Sequence, residues 1–157
     1  MPTSVASRDS SVRIPAGAAA ALRAVVRDTL AVAGRRPGDV AIVLARDPEL
    51  RELNRRWRRI DRATDVLSFP YADERGRVDG DLVISLERLA AQAKRYRVSE
   101  GRELARLVVH GALHLAGHDH HRVAERRTMR AAERTALRAA APAIAALERA
   151  WGTGATR

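Results

Sequence analysis

The sequence predicts a single α+β domain in which a small mixed β-sheet packs against about five helices. Two observations support this fold class. The chain has 157 residues, which is long enough to bury one core without cross-links. Apolar runs of strand length also alternate along the chain with stretches of helical periodicity. The whole chain, 1–157, is expected to form this domain, with loose termini at 1–10 and 152–157.

The first forty-five residues predict a helix between two strands. Residues 12–14 (VRI) are a candidate short strand, and the pattern from 16 to about 33 is helical. Gly34 and the turn-like stretch RRPGD that follows end this helix. The apolar run at 39–45 (DVAIVLA) then predicts a buried strand.

A second helix is expected to begin at Asp47-Pro48-Glu49. These residues combine a capping carboxylate, a proline at the first helical position and a glutamate near the positive end of the helix dipole. The apolar positions on one predicted face of this helix are Leu50, Leu53, Trp57 and Ile60.

The rest of the chain predicts two more strands and three more helices. Pro70 marks the first of these strands as an edge or a strand end. Ser99 is a candidate N-cap for the helix that carries the histidines, and Pro142 interrupts the last helix. The predicted elements are strands at 65–71 and 81–85 joined by a turn at 73–80, and helices at 86–95, from Ser99 onward, and over roughly 121–150.

Composition and charge favour one class of partner and exclude cysteine-based sites. The formal net charge is +10, and Lys94 is the only lysine, so arginine carries almost all of the positive charge. Arginine forks match phosphate geometry, which favours a polyanionic partner, although an arginine- and alanine-rich compositional habit is the alternative. The absence of cysteine excludes disulfides and thiolate zinc sites. No leader or membrane-length apolar run is evident, which predicts a soluble, cytoplasmic protein without a membrane partner.

All five histidines lie within residues 110–121, HGALHLAGHDHH. His110 and His114 are four residues apart and share one helix face. A straight helix would place His118 roughly 12 Å along the axis from His110, which is too far for one ion with bonds of about 2.0–2.1 Å. Gly117 permits a left-handed turn that would fold His120 back beside the other two. The resulting pattern, H-x-x-x-H-x-x-G-x-x-H, is the spacing of the metzincin zinc site.

The residue after the first histidine decides against a zinc protease. Metzincins carry a glutamate base there, and this chain has Gly111. Three neutral imidazoles would leave the ion its full charge and one coordination position open, which suits polarisation of a phosphoryl or carbonyl oxygen. An open catalytic metal site is therefore expected. The alternatives are a chance cluster of hydrogen-bonded histidines, a pH switch, and a closed structural zinc whose fourth ligand is Asp119, His118 or His121.

The other polar residues of the cluster are expected to have supporting roles rather than to bind the ion. His118 and His121 are expected to be solvated neighbours or donors that orient the ligands. Asp119 is expected either to orient a ligand histidine or to cap the helix that follows.

A second group of candidate residues lies in LNRRWRRIDRATDVLSFP, residues 53–70. Its arginines predict a phosphate-binding patch, with a solvated helix face as the alternative. Trp57 is expected in the core, with stacking on a base as the alternative. Thr64 and Asp65 are expected to shape the start of the following strand. The arginines of this patch are Arg55, Arg56, Arg58, Arg59 and Arg62.

Three stretches carry a family resemblance. HGALHLAGHDH resembles the H-G-x-L-H-L-x-G-x-D-H signature of the YbeY family of bacterial metal-dependent endoribonucleases. LNRRWR followed by DVLSFP, and then GDLVIS, resemble the other landmarks of that family in the same order. The resemblance extends roughly from Asp47 to His120, and the helical C-terminal part is compatible with it.

The resemblance implies a fold, a cofactor and an activity. Family members have an α+β fold and bind one zinc-like ion through histidines that match His110, His114 and His120. The essential arginine of the family matches Arg58. Members cleave single-stranded RNA in the bacterial cytoplasm, where they mature the 3′ end of 16S rRNA and act in ribosome quality control. Implied partners are the 16S rRNA precursor, the ribosome or its small subunit, and a ribosomal protein or GTPase.

The sequence thus predicts a zinc-dependent single-strand endoribonuclease. Arg58 and His114 are the expected catalytic residues, and Arg55, Arg58, Arg59 and Arg62 are expected to bind the RNA. Nickel, copper or another divalent ion could replace zinc, and the proton acceptor stays open. The alternatives are a ribosome-associated RNA-binding protein with a structural metal and a metallohydrolase of another small substrate.

Two departures from the family pattern stand out. Ala63 replaces a proline that many members have before the T-D-V-L-S-F-P run. The C-terminal helix, often acidic in the family, is basic in this chain. Its arginines are Arg122, Arg126, Arg127, Arg130, Arg134 and Arg138.

Overall fold

The computed structural model describes residues 3–71 and 76–154, and its framework is a four-stranded mixed sheet. The strand order is β1-β2-β4-β3, in which β1, β2 and β4 are parallel and β3 is an antiparallel edge strand. The edge position of β3 fits Pro70 at its end. The strands are β1 Thr3–Ser7, β2 Arg36–Ala45, β3 Val66–Pro70 and β4 Arg77–Ser85.

Six helices pack around this sheet within the described residues. The last predicted helix is divided by Ala140, just before Pro142, so there is one helix more than the five expected. The α+β class with a small mixed sheet is confirmed. The helices are α1 Ala18–Val32, α2 Asp47–Arg58, α3 Leu86–Tyr96, α4 Glu100–Leu115, α5 Val123–Ala139 and α6 Ala141–Gly154.

The N-terminal predictions need correction. Thr3–Ser7 is not a loose end but pairs in parallel with β2, where Thr3 lies opposite Val40. Residues 12–14 form no strand, and the half-buried side chains of Val12 and Ile14 pack against the core instead. The pairing partner of β1 lies more than thirty residues away along the chain, so the local sequence carries no signal of it.

Two other predicted boundaries also shift. Strand β4 begins at Arg77, within the stretch predicted as a turn, while 72–75 lie outside the described residues. Helix α6 continues through Gly154, so residues 152–154 of the predicted loose tail are helical, and 155–157 lie outside the described residues.

The sheet separates two apolar clusters. Alternate β2 side chains, Val40, Ile42 and Leu44, face the larger cluster, which is formed with α1, α4, α5 and α6. On the opposite face Leu50 of α2 packs with Leu67 and Val83. Burial on both faces explains why β2 and β4 are rich in valine, isoleucine and leucine. This arrangement places the histidine-bearing helix α4 against one face and the arginine-bearing helix α2 against the other.

Gly111 lets helix α4 approach the sheet closely. A Cβ atom at this position would lie 2.8 Å from Leu82 Cδ2 and 3.3 Å from Ser68 Oγ. The Ser68 hydroxyl donates a hydrogen bond to the Gly111 carbonyl oxygen at 3.2 Å. Because His110 precedes this contact directly, the absence of a side chain at Gly111 sets the position of the first histidine relative to β3.

We expect Gly111→Ala to lower the free energy of unfolding by about 1–3 kcal/mol, since the added methyl group overpacks the contact with Leu82. Urea denaturation followed by circular dichroism measures this change. Gly152→Ala is the matched control, because no atom lies within 4 Å of the added Cβ in helix α6. That variant should be neutral or stabilised by up to about 1 kcal/mol. Equal stabilities of the two variants would contradict a packing role for Gly111.

Candidate metal and phosphate-binding site

A left-handed turn at the end of α4 brings the histidines together. Gly117 has φ 101°, and its N–H donates to the His114 carbonyl oxygen at 3.0 Å. The His118 N–H donates to the Leu113 carbonyl oxygen, also at 3.0 Å. This pair of hydrogen bonds is a Schellman motif, which ends the helix and reverses the chain direction. The chain then returns His120 to the face that carries His110 and His114.

The three imidazoles have the spacing of metal ligands. His114 Nε2 lies 3.2 Å from His110 Nε2 and 3.1 Å from His120 Nδ1. Two nitrogens bound tetrahedrally at about 2.0–2.1 Å from one zinc ion lie roughly 3.3 Å apart. One ring nitrogen from each histidine lies within 4.8 Å of the others, and no other such group of His, Asp and Glu occurs in the described residues. The donor set therefore fits a zinc-like ion with one coordination position left open.

Glu133 of α5 holds the first histidine in its orientation. Its Oε1 lies 2.9 Å from His110 Nδ1, so that Nε2 of the same ring is directed to the other histidines. The hydrogen bond with His110 lowers the pKa of Glu133, against the effect of burial. An ionised carboxylate behind a ligand histidine fixes its tautomer and makes it a better ligand. No local motif marks Glu133, because it lies 23 residues from His110 and on another helix.

The central histidine is held in its neutral form. Burial is the main cause that lowers the pKa of His114 from its ordinary 6.5 to about 4, and the neighbouring His110 and His120 act in the same direction. The His114 ring therefore carries no proton on one nitrogen at neutral pH. A free lone pair is what a metal ligand requires.

An open cavity of about 1050 Å³ lies over the histidines. Arg58, the last residue of α2, lines it and donates from Nη2 to the Ser68 carbonyl oxygen at 3.2 Å. Arg62 from the following loop and Arg88 from α3 line the same cavity. The cavity thus combines three histidine nitrogens that could hold a metal ion with guanidinium groups, which match phosphate oxygens in geometry.

Comparison with known proteins agrees with this geometry. The family model described as Endoribonuclease YbeY matches residues 5–141. The chain belongs to the YbeY family. It is 51% identical over 105 residues to Endoribonuclease YbeY of Carboxydothermus hydrogenoformans, which covers 66% of this chain and 73% of that protein. It is 44% identical over 129 residues to Endoribonuclease YbeY of an Anaeromyxobacter species, with 80% and 67% covered.

A solved structure supports the fold alone. The solution structure of TM1509 from Thermotoga maritima superposes with a TM-score of 0.53 at 24% sequence identity. The match covers 86% of this YbeY-family chain and 89% of the other.

The predicted RNA-binding arginines separate into two groups in this YbeY-family protein. Arg58 and Arg62 reach the histidine cavity, whereas Arg55 and Arg59 do not line it. Arg55 is paired with Glu52 at 2.6 Å on a neighbouring surface. Arg59 takes the left-handed conformation that ends α2, with φ 59°, and is exposed. Arg88 is a cavity residue that the sequence did not indicate, because α3 is distant from α2 along the chain.

The expectation that Trp57 lies in the core is wrong, since 66% of its surface is exposed. Asn54 takes the buried position near the end of α2 and donates from Nδ2 to the Arg62 carbonyl oxygen at 2.9 Å. This bond holds the loop after α2 against the helix. Apolar periodicity predicted that Trp57 would be the buried residue near the end of α2. The polar Asn54 is buried there instead.

Both expectations for Asp119 are also wrong. Its Oδ1 accepts a hydrogen bond from the His120 backbone N–H at 2.8 Å and lies 3.1 Å from His121 Nε2. Helix α5 has Arg122 at its N-cap, and the backbone N–H of that residue donates to Glu125 at 3.0 Å. Asp119 therefore shapes the loop that carries His120 rather than orienting a ring of the three or capping a helix.

A hydrogen-bond chain stiffens the cavity wall at the start of β3. Asp65 accepts from the Val66 N–H at 2.8 Å and from Gln92 Nε2 at 3.2 Å. Gln92 in turn accepts from Arg106 at 3.3 Å, and Arg106 is paired at 2.6 Å with the buried Glu103. The prediction that Asp65 shapes the start of this strand is confirmed. The three partners behind it come from α3 and α4.

We expect Glu133→Gln to weaken metal binding by about tenfold or more, because the carboxylate charge behind His110 is lost. Competition with a chromophoric zinc chelator measures the dissociation constant. Glu125→Gln is the matched control on the same helix, since glutamine also accepts the capping hydrogen bond. Equal zinc affinities of the two variants would show that Glu133 does not support the ligand set.

Proposed function

We propose that this protein is a metal-dependent endoribonuclease that cleaves single-stranded RNA at the cavity over His110, His114 and His120. The observation that carries the proposal is the placement of three converging imidazoles and Arg58 in one open cavity. Membership of a family of endoribonucleases supplies the class of reaction.

In this proposal the three histidines hold one zinc-like ion, and Glu133 keeps His110 in its binding tautomer. When bound, such an ion supplies a Lewis acid for a phosphoryl oxygen and lowers the pKa of water. Zinc is the proposed ion, and nickel or another divalent ion suits the same three nitrogens.

The arginines bind the substrate. Arg58 contacts an oxygen of the scissile phosphate and offsets the negative charge that develops on it in the transition state. Its hydrogen bond to the Ser68 carbonyl oxygen supports the guanidinium in this position. Arg62 and Arg88 bind neighbouring phosphates from the same cavity. The backbone of the RNA thus provides most of the binding energy.

The finer assignment follows the family resemblance. We propose that the substrate is the 16S rRNA precursor, at its 3′ end, and that the protein acts in ribosome quality control on the small subunit in the cytoplasm. A ribosomal protein or a GTPase is the proposed protein partner. None of the helices in residues 3–71 and 76–154 combines the length and the apolar composition of a membrane span.

A closed structural metal site fits the structure less well. Neither His118, Asp119 nor His121 joins the group of converging ligand atoms in the described residues. An ion held by the three histidines alone would have a fourth coordination position for water or substrate, as catalytic rather than structural zinc does.

The test is cleavage of a labelled single-stranded RNA by protein loaded with one equivalent of zinc. The chelator-treated protein and the same RNA annealed to its complement serve as controls. We expect cleavage of the single strand only, and only with metal. Metal binding at full stoichiometry without cleavage would overturn the enzymatic assignment. A 2′,3′-cyclic phosphate at the product end would identify the 2′-OH as the nucleophile, whereas its absence would favour attack by water.

A further inference from the structure

One flank of helix α5 carries five exposed arginines, with Val123 and Leu137 as its apolar members. With 3.6 residues per turn and Glu133 as the origin, the flank covers angles of about 20° to 140° around the axis. The buried Met129, Ala136 and Ala140 lie on the other side of Glu133, at about −60° to −20°. The arginine flank consists of the exposed residues Arg126, Arg127, Arg130, Arg134 and Arg138.

The charges on this flank have no ion-pair partner among the described residues. Within residues 3–71 and 76–154, none of the five arginines forms an ion pair. The two glutamates of α5 are engaged elsewhere, Glu125 at the helix N-terminus and Glu133 on His110. Two arginines of α2 differ in this respect, since Arg51 is paired with Asp61 and Arg55 with Glu52.

The arginine flank passes close to His110, although no residue of α5 lines the histidine cavity. Glu133, which contacts His110 at 2.9 Å, is the immediate neighbour of Arg134 and lies one turn from Arg130. From Arg126 to Arg138 the flank extends about 18 Å along the helix axis, at 1.5 Å per residue. The four arginines spaced by four residues form a row about 6 Å apart, each one turn from the next.

We propose that the arginine flank binds the phosphate backbone of the RNA on one side of the cleavage site, and this rests on the proposed function. In the cavity, Arg58 binds the scissile phosphate and Arg62 a neighbouring one, and the flank adds phosphate contacts further along the strand. Guanidinium groups pair with phosphate oxygens in a bidentate manner. The flank carries no aromatic side chain for base stacking, so its contribution is independent of the base sequence.

The test compares two variants with the same net charge. The flank variant is Arg130→Gln/Arg134→Gln/Arg138→Gln, in which glutamine preserves helix propensity. The control variant is Arg13→Gln/Arg23→Gln/Arg36→Gln, whose positions do not line the cavity. Binding of a single-stranded RNA of about thirty nucleotides is measured from low to moderate salt. Cleavage is measured on that RNA and on a short oligonucleotide of about five nucleotides, near the lower limit of single-strand site sizes.

We expect the flank variant to bind the long RNA roughly tenfold or more weakly than the control variant. The slope of log affinity against log salt concentration should also be smaller in magnitude by about 2. Each of the three lost phosphate contacts accounts for about 0.7 of this difference. Cleavage of the short oligonucleotide should be the same in both variants, since it spans only the cavity. Equal affinities and equal slopes for the two variants would overturn the proposal.

Two other outcomes separate a failure of this proposal from a failure of the proposed function. If the flank variant lost affinity for poly-glutamate but kept its RNA affinity, the partner would be an acidic protein and the proposal would fail. If the unmodified protein cleaved neither RNA, the proposed function would fail, while the difference between the two salt slopes would still decide whether the flank binds RNA.

Discussion

Replacement of His114 by alanine is expected to reduce the rate of RNA cleavage by about a thousandfold or more. His114 is the central member of the group, within 3.2 Å of nitrogen atoms of both other histidines. Its removal leaves two ligands, which are too few to retain a zinc-like ion at micromolar concentrations. Loss of a metal centre withdraws several kcal/mol of transition-state stabilisation, and about 4 kcal/mol corresponds to three orders of magnitude.

Single-turnover cleavage and metal stoichiometry are measured on the same preparation of this variant, with its fold checked by circular dichroism. The matched control is His121→Ala, which removes a histidine that lies outside the group of converging ligands. The control should keep both metal and activity. Equal activity in both variants would attribute the cleavage to a contaminating nuclease. Unfolding of the His114→Ala variant at 25 °C would instead favour a structural metal.

Replacement of Arg58 by alanine is expected to lower kcat/KM for RNA by about a hundredfold to a thousandfold. Arg58 lines the histidine cavity and is oriented by its hydrogen bond to the Ser68 carbonyl oxygen. A donor preorganised at the place where negative charge develops contributes about 2.7–4 kcal/mol to the transition state. Metal binding should be unchanged, because Arg58 does not belong to the ligand group.

The matched control for this variant is Arg56→Ala, which removes an exposed arginine from the same helix that does not line the cavity. Steady-state cleavage over a range of RNA concentrations gives kcat and KM for each variant. Arg58→Lys should recover only part of the activity, since an ammonium group cannot contact the Ser68 carbonyl oxygen and a phosphate oxygen with the planar fork of a guanidinium. A loss of similar size in Arg56→Ala would mean that the overall positive charge, and not the position of Arg58, drives cleavage.

The predictions that succeeded rest on interactions between near neighbours in the chain. The spacing of His110 and His114 places them on one helix face, and Gly117 supplies the left-handed turn that returns His120. Ser99 caps α4, as expected, by accepting a hydrogen bond from the Arg102 N–H at 3.0 Å. Each of these features depends on a few consecutive residues, so the sequence pattern determines it.

The predictions that failed concern the surroundings of those residues. Apolar periodicity placed Trp57 in the core, but the buried Asn54 and its bond to Arg62 leave it outside. The local sequence of Thr3–Ser7 indicated a loose end, but pairing with β2 makes it a strand. In the first case the buried residue is polar, and apolar periodicity does not predict buried polar residues. In the second case the pairing strand lies more than thirty residues away along the chain.

The sequence by itself determined the three histidines that converge, the turn that brings them together and the membership of the YbeY family. Only the tertiary structure decided which other groups meet that ligand set. Glu133 of α5 contacts His110. Arg88 of α3 lines the same cavity as Arg58 and Arg62. Arg55 is paired with Glu52 and does not line that cavity. The physical reason is that metal-ligand spacing is encoded within one helix and its turn. The positions of Glu133 and of the cavity arginines depend on how separate helices pack against the sheet.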